Sequence, residues 1–142
     1  MLALDVGDRR IGVAVSDPTR LVARPLAVVT RQSNLDAAAR IRALAEENQA
    51  SLIVVGIPVT GTGDLGPQAT KTNHFAQMLR KHLSLPIETW NEAFSTEDAQ
   101  RQLIAMGISR ARRRDMLDAA AAAVILDDWL NAHRPPPAPP PL

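Results

Sequence analysis

Two short apolar runs open the chain, residues 2–6 (LALDV) and 11–16 (IGVAVS), parted by the polar turn Gly7-Asp8-Arg9-Arg10. Apolar runs bounded by turn residues read as strands, so the chain is predicted to begin as a β-hairpin. Residues 22–30 (VARPLAVVT) predict a third strand, and Pro25, lacking the N–H that a central ladder needs, places it at an edge. Asn34 is a candidate cap for a helix over about 35–48, where Leu35, Ala38, Ile41, Leu44 and Ala45 share one face. Residues 51–56 (SLIVVG) are almost wholly apolar, the mark of a strand covered on both faces. Pro67 suits the first turn of a helix that carries Phe75, Met78 and Leu79, and residues 86–90 form a short strand. Ser95 with Asp98 resembles a capping box for a helix over about 96–106 that stops near Gly107. The last helix spans about 115–131, and its run Ala119–Ala123 is small enough to lie close against a sheet.

The resulting order, βββαβαβαα, predicts an α/β fold: an antiparallel opening, then strands alternating with helices in one mixed sheet of five strands flanked by helices. This domain occupies residues 1–132, and the Pro-rich tail 133–142 is expected to be extended and polyproline-like. A length of 142 residues suits a single core, and 46% hydrophobic against 22% charged residues excludes a disordered chain. With two Trp, two Phe and no Tyr, stacking of bases on an aromatic sheet is a poor candidate for the main binding mode. A net charge of +1 excludes a polycation, yet all but Lys71 and Lys81 of the 16 basic residues are Arg. Their forks suit phosphate, although a compositional bias accounts for them equally well. The absence of Cys excludes disulfides and thiolate metal sites. No signal peptide or membrane span is read, so a cytoplasmic protein with no membrane partner is expected.

That leaves carboxylates to carry chemistry. Asp5 interrupts an apolar strand, where a carboxylate is costly unless paired or metal-bound; it serves equally well as a turn-stabilising residue. Glu92 falls just past the strand at 86–90, at the end of a sheet where ligands gather, or is a solvated loop residue. Asp118 is read in the first turn of the last helix, with Asp115 three residues earlier on the same face; a helix N-terminus also favours carboxylates for structural reasons. Upstream lies Arg110-Ala111-Arg112-Arg113-Arg114, either a phosphate-facing run or an exposed basic loop. Three acidic residues on adjacent elements of one sheet suit hard divalent ions, which activate water and stabilise a leaving oxygen in phosphodiester cleavage.

Four ordered segments carry a family likeness. LALDVGDRRIGVAVSD, VVGIPVTGTGDLGPQA, WNEAFSTEDA and DMLDAAAAAVIL resemble the successive motifs of the YqgF family of ribonuclease-H-like, Holliday-junction-resolvase-related proteins, and the likeness covers nearly the whole chain apart from the tail. It implies a ribonuclease-H-like fold and a nuclease that matures the 5′ end of pre-16S rRNA in ribosome biogenesis, with resolution of Holliday junctions or cutting of branched or single-stranded DNA in repair and recombination as the alternative. By position it implies Asp5, Glu92 and Asp118 as the catalytic, metal-binding residues; Asp115 has no regular counterpart in the family, and the pairing of two aspartates at this spacing in the related true resolvases makes it an auxiliary-ligand candidate. Two Mg²⁺ or Mn²⁺ ions are expected, Asp5 bridging both while Glu92 and Asp118 each fix one. Arg9, Arg10, Arg112, Arg113 and Arg114 are expected to position the nucleic-acid backbone, of an rRNA precursor or of branched DNA. A homodimer would suit a two-fold-symmetric junction, though nothing in the sequence demands one. The third motif usually reads Asp-Glu-Arg and here is Asn91-Glu92-Ala93, and Thr60 and Thr62 stand where Asn and Asp are usual. These departures keep a non-catalytic nucleic-acid-binding module in contention.

Other readings are weaker. Gly61-Thr62-Gly63-Asp64-Leu65-Gly66 imitates a dinucleotide fingerprint, but it stands off from the predicted strand end and Pro67 removes an amide needed for phosphate. An actin-like or sugar-kinase phosphate hairpin would need a second domain. His74 and His82 share a helix face without a metal assigned to them, Trp90 and Trp129 are read as core, and Asp17 as a turn residue with a supporting role near the site held open.

Overall fold

The computed structural model describes residues 1–58, 66–92, 101 and 104–134, the side chains at positions 111 and 113–115 excepted. Strands β1 (Leu2–Val6) and β2 (Arg10–Ser16) form the expected hairpin, paired antiparallel from Leu2↔Val15 to Val6↔Ile11, and the Gly7 N–H closes the turn on the Arg10 carbonyl at 2.9 Å. β3 (Ala23–Thr30) pairs antiparallel with β2, while β4 (Ile53–Pro58) and β5 (Ile87–Glu92) add in parallel on the far side of β1. The sheet order is β3-β2-β1-β4-β5. β3 is therefore an edge strand, as Pro25 requires, and the register shifts between Val13 and Ala14, where Pro25 opposes Ala14.

Helices α1 (Asn34–Glu47) and α2 (Pro67–His82) cover one face of this sheet, and α3 (Arg110–Ala132) covers the other. The period of two along a strand sorts the side chains. Leu2, Leu4, Val6, Ile11, Val13 and Val15 pack with Ile41, Phe75 and Leu79 of α1 and α2. Ala3 and Ala14 pack with Ala122, Ala123, Ile125 and Leu126 of α3. Small residues on both sides bring α3 close to the sheet, as the alanine run predicts. This mixed five-stranded α/β arrangement is the ribonuclease-H-like layout that the resemblance implies. No helix among the described residues is long and apolar enough to cross a membrane.

Four boundaries differ from the sequence reading. β4 and β5 extend past the apolar pattern, to Pro58 and Glu92, because the parallel ladder Gly56↔Trp90, Ile57↔Asn91, Pro58↔Glu92 runs through the backbone whatever the side chains. Ser33, not Asn34, caps α1, its hydroxyl accepting the Asp36 N–H at 3.1 Å. Leu35 then falls outside the inner face, 66% exposed, and Ala37, Ala38, Ile41 and Ala45 are the buried residues. α3 begins at Arg110, five residues before the expected start, with Ser109 as its cap. Arg and Ala are strong helix formers and Ser a strong N-cap, so the basic run is helix rather than loop. Asp118 consequently lies in the third turn, beyond the reach of the N-terminal dipole. The helix expected over about 96–106, most of the Gly-rich loop and the Pro-rich tail lie largely outside the described residues.

Candidate active site

β1, β4 and β5 end at the same edge of the sheet, and the β2 turn returns there, so Asp5, Glu92 and Arg10 all arrive at one end. They also share a face. Asp5 is one step from Leu4, which faces α1 and α2, and so it points with Ala3 towards α3. Glu88 and Trp90 meet α3 or its core cluster, which puts Glu92 on that side too.

What brings Asp118 to Asp5 is Gly12. It sits opposite Asp5 in the hairpin register, and a Cβ built on it would lie 1.8 Å from the Asp118 carbonyl oxygen and 2.8 Å from the Ala119 nitrogen. The α3 backbone thus rests directly on the sheet beside Asp5. Burial raises the Asp5 carboxyl from 3.8 to about 6, and the Asp118 charge adds to the shift. Among the described residues no hydrogen-bond donor or cation is paired with the Asp5 carboxylate. Asp118 is held by Arg10, whose Nε lies 3.1 Å from Oδ2. Gly7, Asp8, Arg9, Arg10, Thr30 and Asp118 line a cleft of about 570 Å³ at this point.

Glu92 stands further off. Leu4 is level with Val55, and Val55 with Thr89, so Glu92 is two residues beyond Asp5 along the strands and two strands across. At about 3.3 Å per residue and 4.8 Å per strand, the two backbones are roughly 12 Å apart. The Glu92 carboxylate accepts the Trp90 indole N–H at 3.1 Å. Trp90 is half-buried, and its ring lies 5.6 Å from that of His133, which stacks on Trp129 at 3.8 Å; the Trp129 N–H in turn reaches Glu88 at 3.3 Å. Both tryptophans belong to the core, as expected, but Trp90 also orients Glu92. Its spacing of two residues on a strand, hence on one face, was the available signal. Among the described residues no three His, Asp or Glu side chains are drawn close enough to hold a metal ion, so the close acidic pair is Asp5 with Asp118.

The remaining candidates divide. Arg9 lines the cleft, and Arg112 is exposed near the start of α3. The side chains of Arg113, Arg114 and Asp115 are outside the described set. Asp17 is a turn residue: its carboxylate accepts the Thr19 hydroxyl and, at 2.8 Å each, the Leu21 and Val22 N–H groups. The Thr19 hydroxyl and then the Val22 N–H hold it down to about 2. It lies at the end of β2 opposite the acidic pair, which removes it from the site.

A mixed α/β sheet with two carboxylates apposed at the end of its central strand is the framework of a ribonuclease-H-like nuclease. The chain belongs to the RuvX family, described as Holliday junction resolvase, whose profile matches residues 1–132. A relative from Roseiflexus sp. (strain RS-1), named “Putative pre-16S rRNA nuclease”, is 42% identical over 134 residues, 94% of this chain and 95% of its own. Relatives of the same name from Symbiobacterium thermophilum and Myxococcus xanthus are 44% and 41% identical, covering 94% and 95% of this chain and 94% and 89% of theirs. Among solved structures, T. thermophilus RuvC in complex with Holliday junction substrate matches 93% of this chain and 94% of its own at 17% identity and a TM-score of 0.49. The fowlpox virus Holliday junction resolvase matches 93% and 99% at 14% identity and a TM-score of 0.48.

Proposed function

We propose that this chain is a divalent-metal-dependent nuclease that hydrolyses phosphodiester bonds in maturation of the 5′ end of pre-16S rRNA. The observation that carries the reading is the apposition of Asp5 and Asp118 on the helix-covered face, at the end of the central strand, in a chain of this family. A half-buried carboxylate beside a second one, raised to about 6 and without a partner among the described residues, suits a hard cation with oxygen ligands. Asp5 and Asp118 are the residues that would hold one ion, and Glu92, oriented by Trp90, would help to hold a second. Ions bound there would supply an activated water and would neutralise charge on the leaving oxygen. Asp115, one turn before Asp118 on α3, is an auxiliary candidate. Arg9, Arg10 and the Arg112–Arg114 run would align the substrate backbone, because guanidinium forks match phosphate oxygens.

The test is cleavage of a transcript bearing the 16S 5′ leader, of single-stranded DNA and of a four-way DNA junction, each in Mg²⁺, Mn²⁺ or EDTA. Cutting of the transcript that EDTA abolishes is the expected result; no cutting of any substrate in either metal would leave a binding module instead. The family description supports a second reading, resolution of branched DNA, and preferential cutting of the junction would select it.

Arg10 supplies a separate prediction. It occupies an oxygen of Asp118 that a cation would share. Arg10→Gln is therefore expected to lower the half-saturating Mn²⁺ concentration roughly two- to fivefold, the worth of one partly exposed ion pair, while raising KM for nucleic acid. Mn²⁺ titration of cleavage at fixed ionic strength measures both. An unchanged or higher Mn²⁺ requirement would show that Arg10 does not compete at Asp118.

A further inference from the structure

A second cleft, of about 310 Å³, opens on the other side of the hairpin turn, lined by Asp8, Arg31, Asn34, Lys71, His74 and Phe75. It adjoins the cleft beside Asp118: Asp8 lines both, and Thr30 of the first is the chain neighbour of Arg31 of the second. Arg31 is the unusual residue there. Its Nη1 donates to the Gly7 carbonyl at 2.9 Å, its Nη2 to the Asn34 side-chain oxygen at 3.0 Å, and its guanidinium carbon lies 4.8 Å from the centroid of the buried Phe75 ring. Each of these partners is neutral. They fix the fork in space, and no carboxylate among the described residues forms an ion pair with it. A half-buried guanidinium held this way keeps its whole charge for an anion, with further N–H donors unspent.

Two more donors face the same space. Lys71 on α2 is exposed and only loosely paired, its Nζ 3.7 Å from Asp8 Oδ1. Such an exposed contact is weak and readily exchanged for a phosphate. His74 follows three residues later, on the same side of the helix.

From this juxtaposition we propose that Arg31, Lys71 and His74 form a subsite for a backbone phosphate of the nucleic-acid strand, flanking the phosphodiester that would occupy the cleft beside Asp118. The proposal rests on the reading of the chain as a nucleic-acid enzyme and extends its substrate path over the Gly7–Arg10 turn to the face covered by α1 and α2. The ligand chemistry is the phosphodiester, common to RNA and DNA. Each contact contributes affinity without base specificity, and its contribution weakens as salt rises.

The experiment measures binding in EDTA, so that nothing is cut, by fluorescence anisotropy with fluorescein-labelled single-stranded RNA and DNA oligonucleotides. Wild type, Lys71→Gln and Arg31→Gln are compared across a salt series. Each variant is expected to lower the slope of log affinity against log salt by about 0.7, the value for neutralising one phosphate fewer on a single strand. A scan that replaces one phosphodiester at a time by a neutral methylphosphonate should then show a position at which wild type loses affinity and Lys71→Gln does not. A purely structural Arg31, stapling the turn to α1, would lower thermal stability without altering either profile. The exposed Lys71 keeps the test valid if Arg31→Gln fails to fold. Wild-type slopes and an unchanged methylphosphonate profile in Lys71→Gln would overturn the subsite. Binding with the expected signature by a chain that cuts nothing would instead overturn the nuclease reading and leave the subsite standing.

Discussion

Asp5→Asn is expected to remove cleavage while leaving a more stable protein that still binds nucleic acid. Loss of this candidate metal ligand should lower kcat by at least about a thousandfold, roughly 4 kcal/mol of barrier. Binding measured in EDTA should hold or tighten, since a negative charge facing phosphate is gone. The stability effect follows from linkage. The Asp5 carboxyl is raised from 3.8 to about 6, first by burial and then by Asp118. Between those values the folded chain carries a proton that the unfolded chain has released. The contribution of Asp5 to stability is thus intact below about pH 4 and is lost as pH rises through about 6. At pH 7 and without metal, the neutral Asn should stabilise the fold by about 1–3 kcal/mol; at pH 4 wild type and variant should be nearly equal. Urea denaturation at the two pH values, beside a cleavage assay in Mn²⁺, measures both halves. Wild-type cleavage by the variant would sink the site, and equal stability at both pH values would show that Asp5 is not strained by its surroundings.

Among the described glycines, Gly12→Ala is expected to produce the largest structural loss. The new Cβ would fall 1.8 Å from the Asp118 carbonyl oxygen, 2.2 Å from its carbon and 2.8 Å from the Ala119 nitrogen. All three are backbone atoms in mid-helix, so no rotamer change relieves the collision and α3 must move off the sheet. A destabilisation of about 3 kcal/mol or more follows, large against the whole stability of a small domain. Because α3 carries Asp118, the surviving folded fraction should also lose activity. Gly56→Ala is the matched comparison: its Cβ meets only side-chain atoms, Ile125 Cδ1 at 2.4 Å and Cγ1 at 2.9 Å, so repacking of one buried residue absorbs part of the clash and the cost should be smaller, about 1–2 kcal/mol. Urea midpoints for the two variants, measured with a common slope, separate these outcomes. Similar losses at both positions would mean that α3 is less tightly seated over Gly12 than the geometry requires.

The elements were legible where local patterning is strong. The opening hairpin, the edge position implied by Pro25, the buried β4 and the alanine-faced last helix follow from alternation, a missing N–H, an unbroken apolar run and small side chains. Their limits were less legible. β5 reaches Glu92 because it borrows a backbone ladder from β4, which polar side chains at Asn91 and Glu92 do not announce. α3 starts at Arg110 because a good cap and good helix formers outweigh charge, so Asp118 sits in the third turn rather than the first. Asp17, read as a turn residue, is one: its carboxylate is consumed by its own turn, which leaves no supporting role at the site.

The candidate site divides along the same line. Residue chemistry made Asp5, Glu92 and Asp118 candidates while leaving a structural role open for each, and the family resemblance assigned them by position. Neither had a means of ranking their closeness, because distance between side chains far apart in sequence is set by register and helix docking. Strand pairing put Glu92 two strands from Asp5, whereas a missing side chain at Gly12 set Asp118 beside it. Arg31 carried no signal in the sequence; only packing on Phe75 and the Gly7 turn leaves its charge unmatched in a cleft. Which groups can do chemistry, and which segments are strand or helix, is written in residue type and periodicity. Which of those groups meet is set only by folding, since that depends on how closely backbones approach.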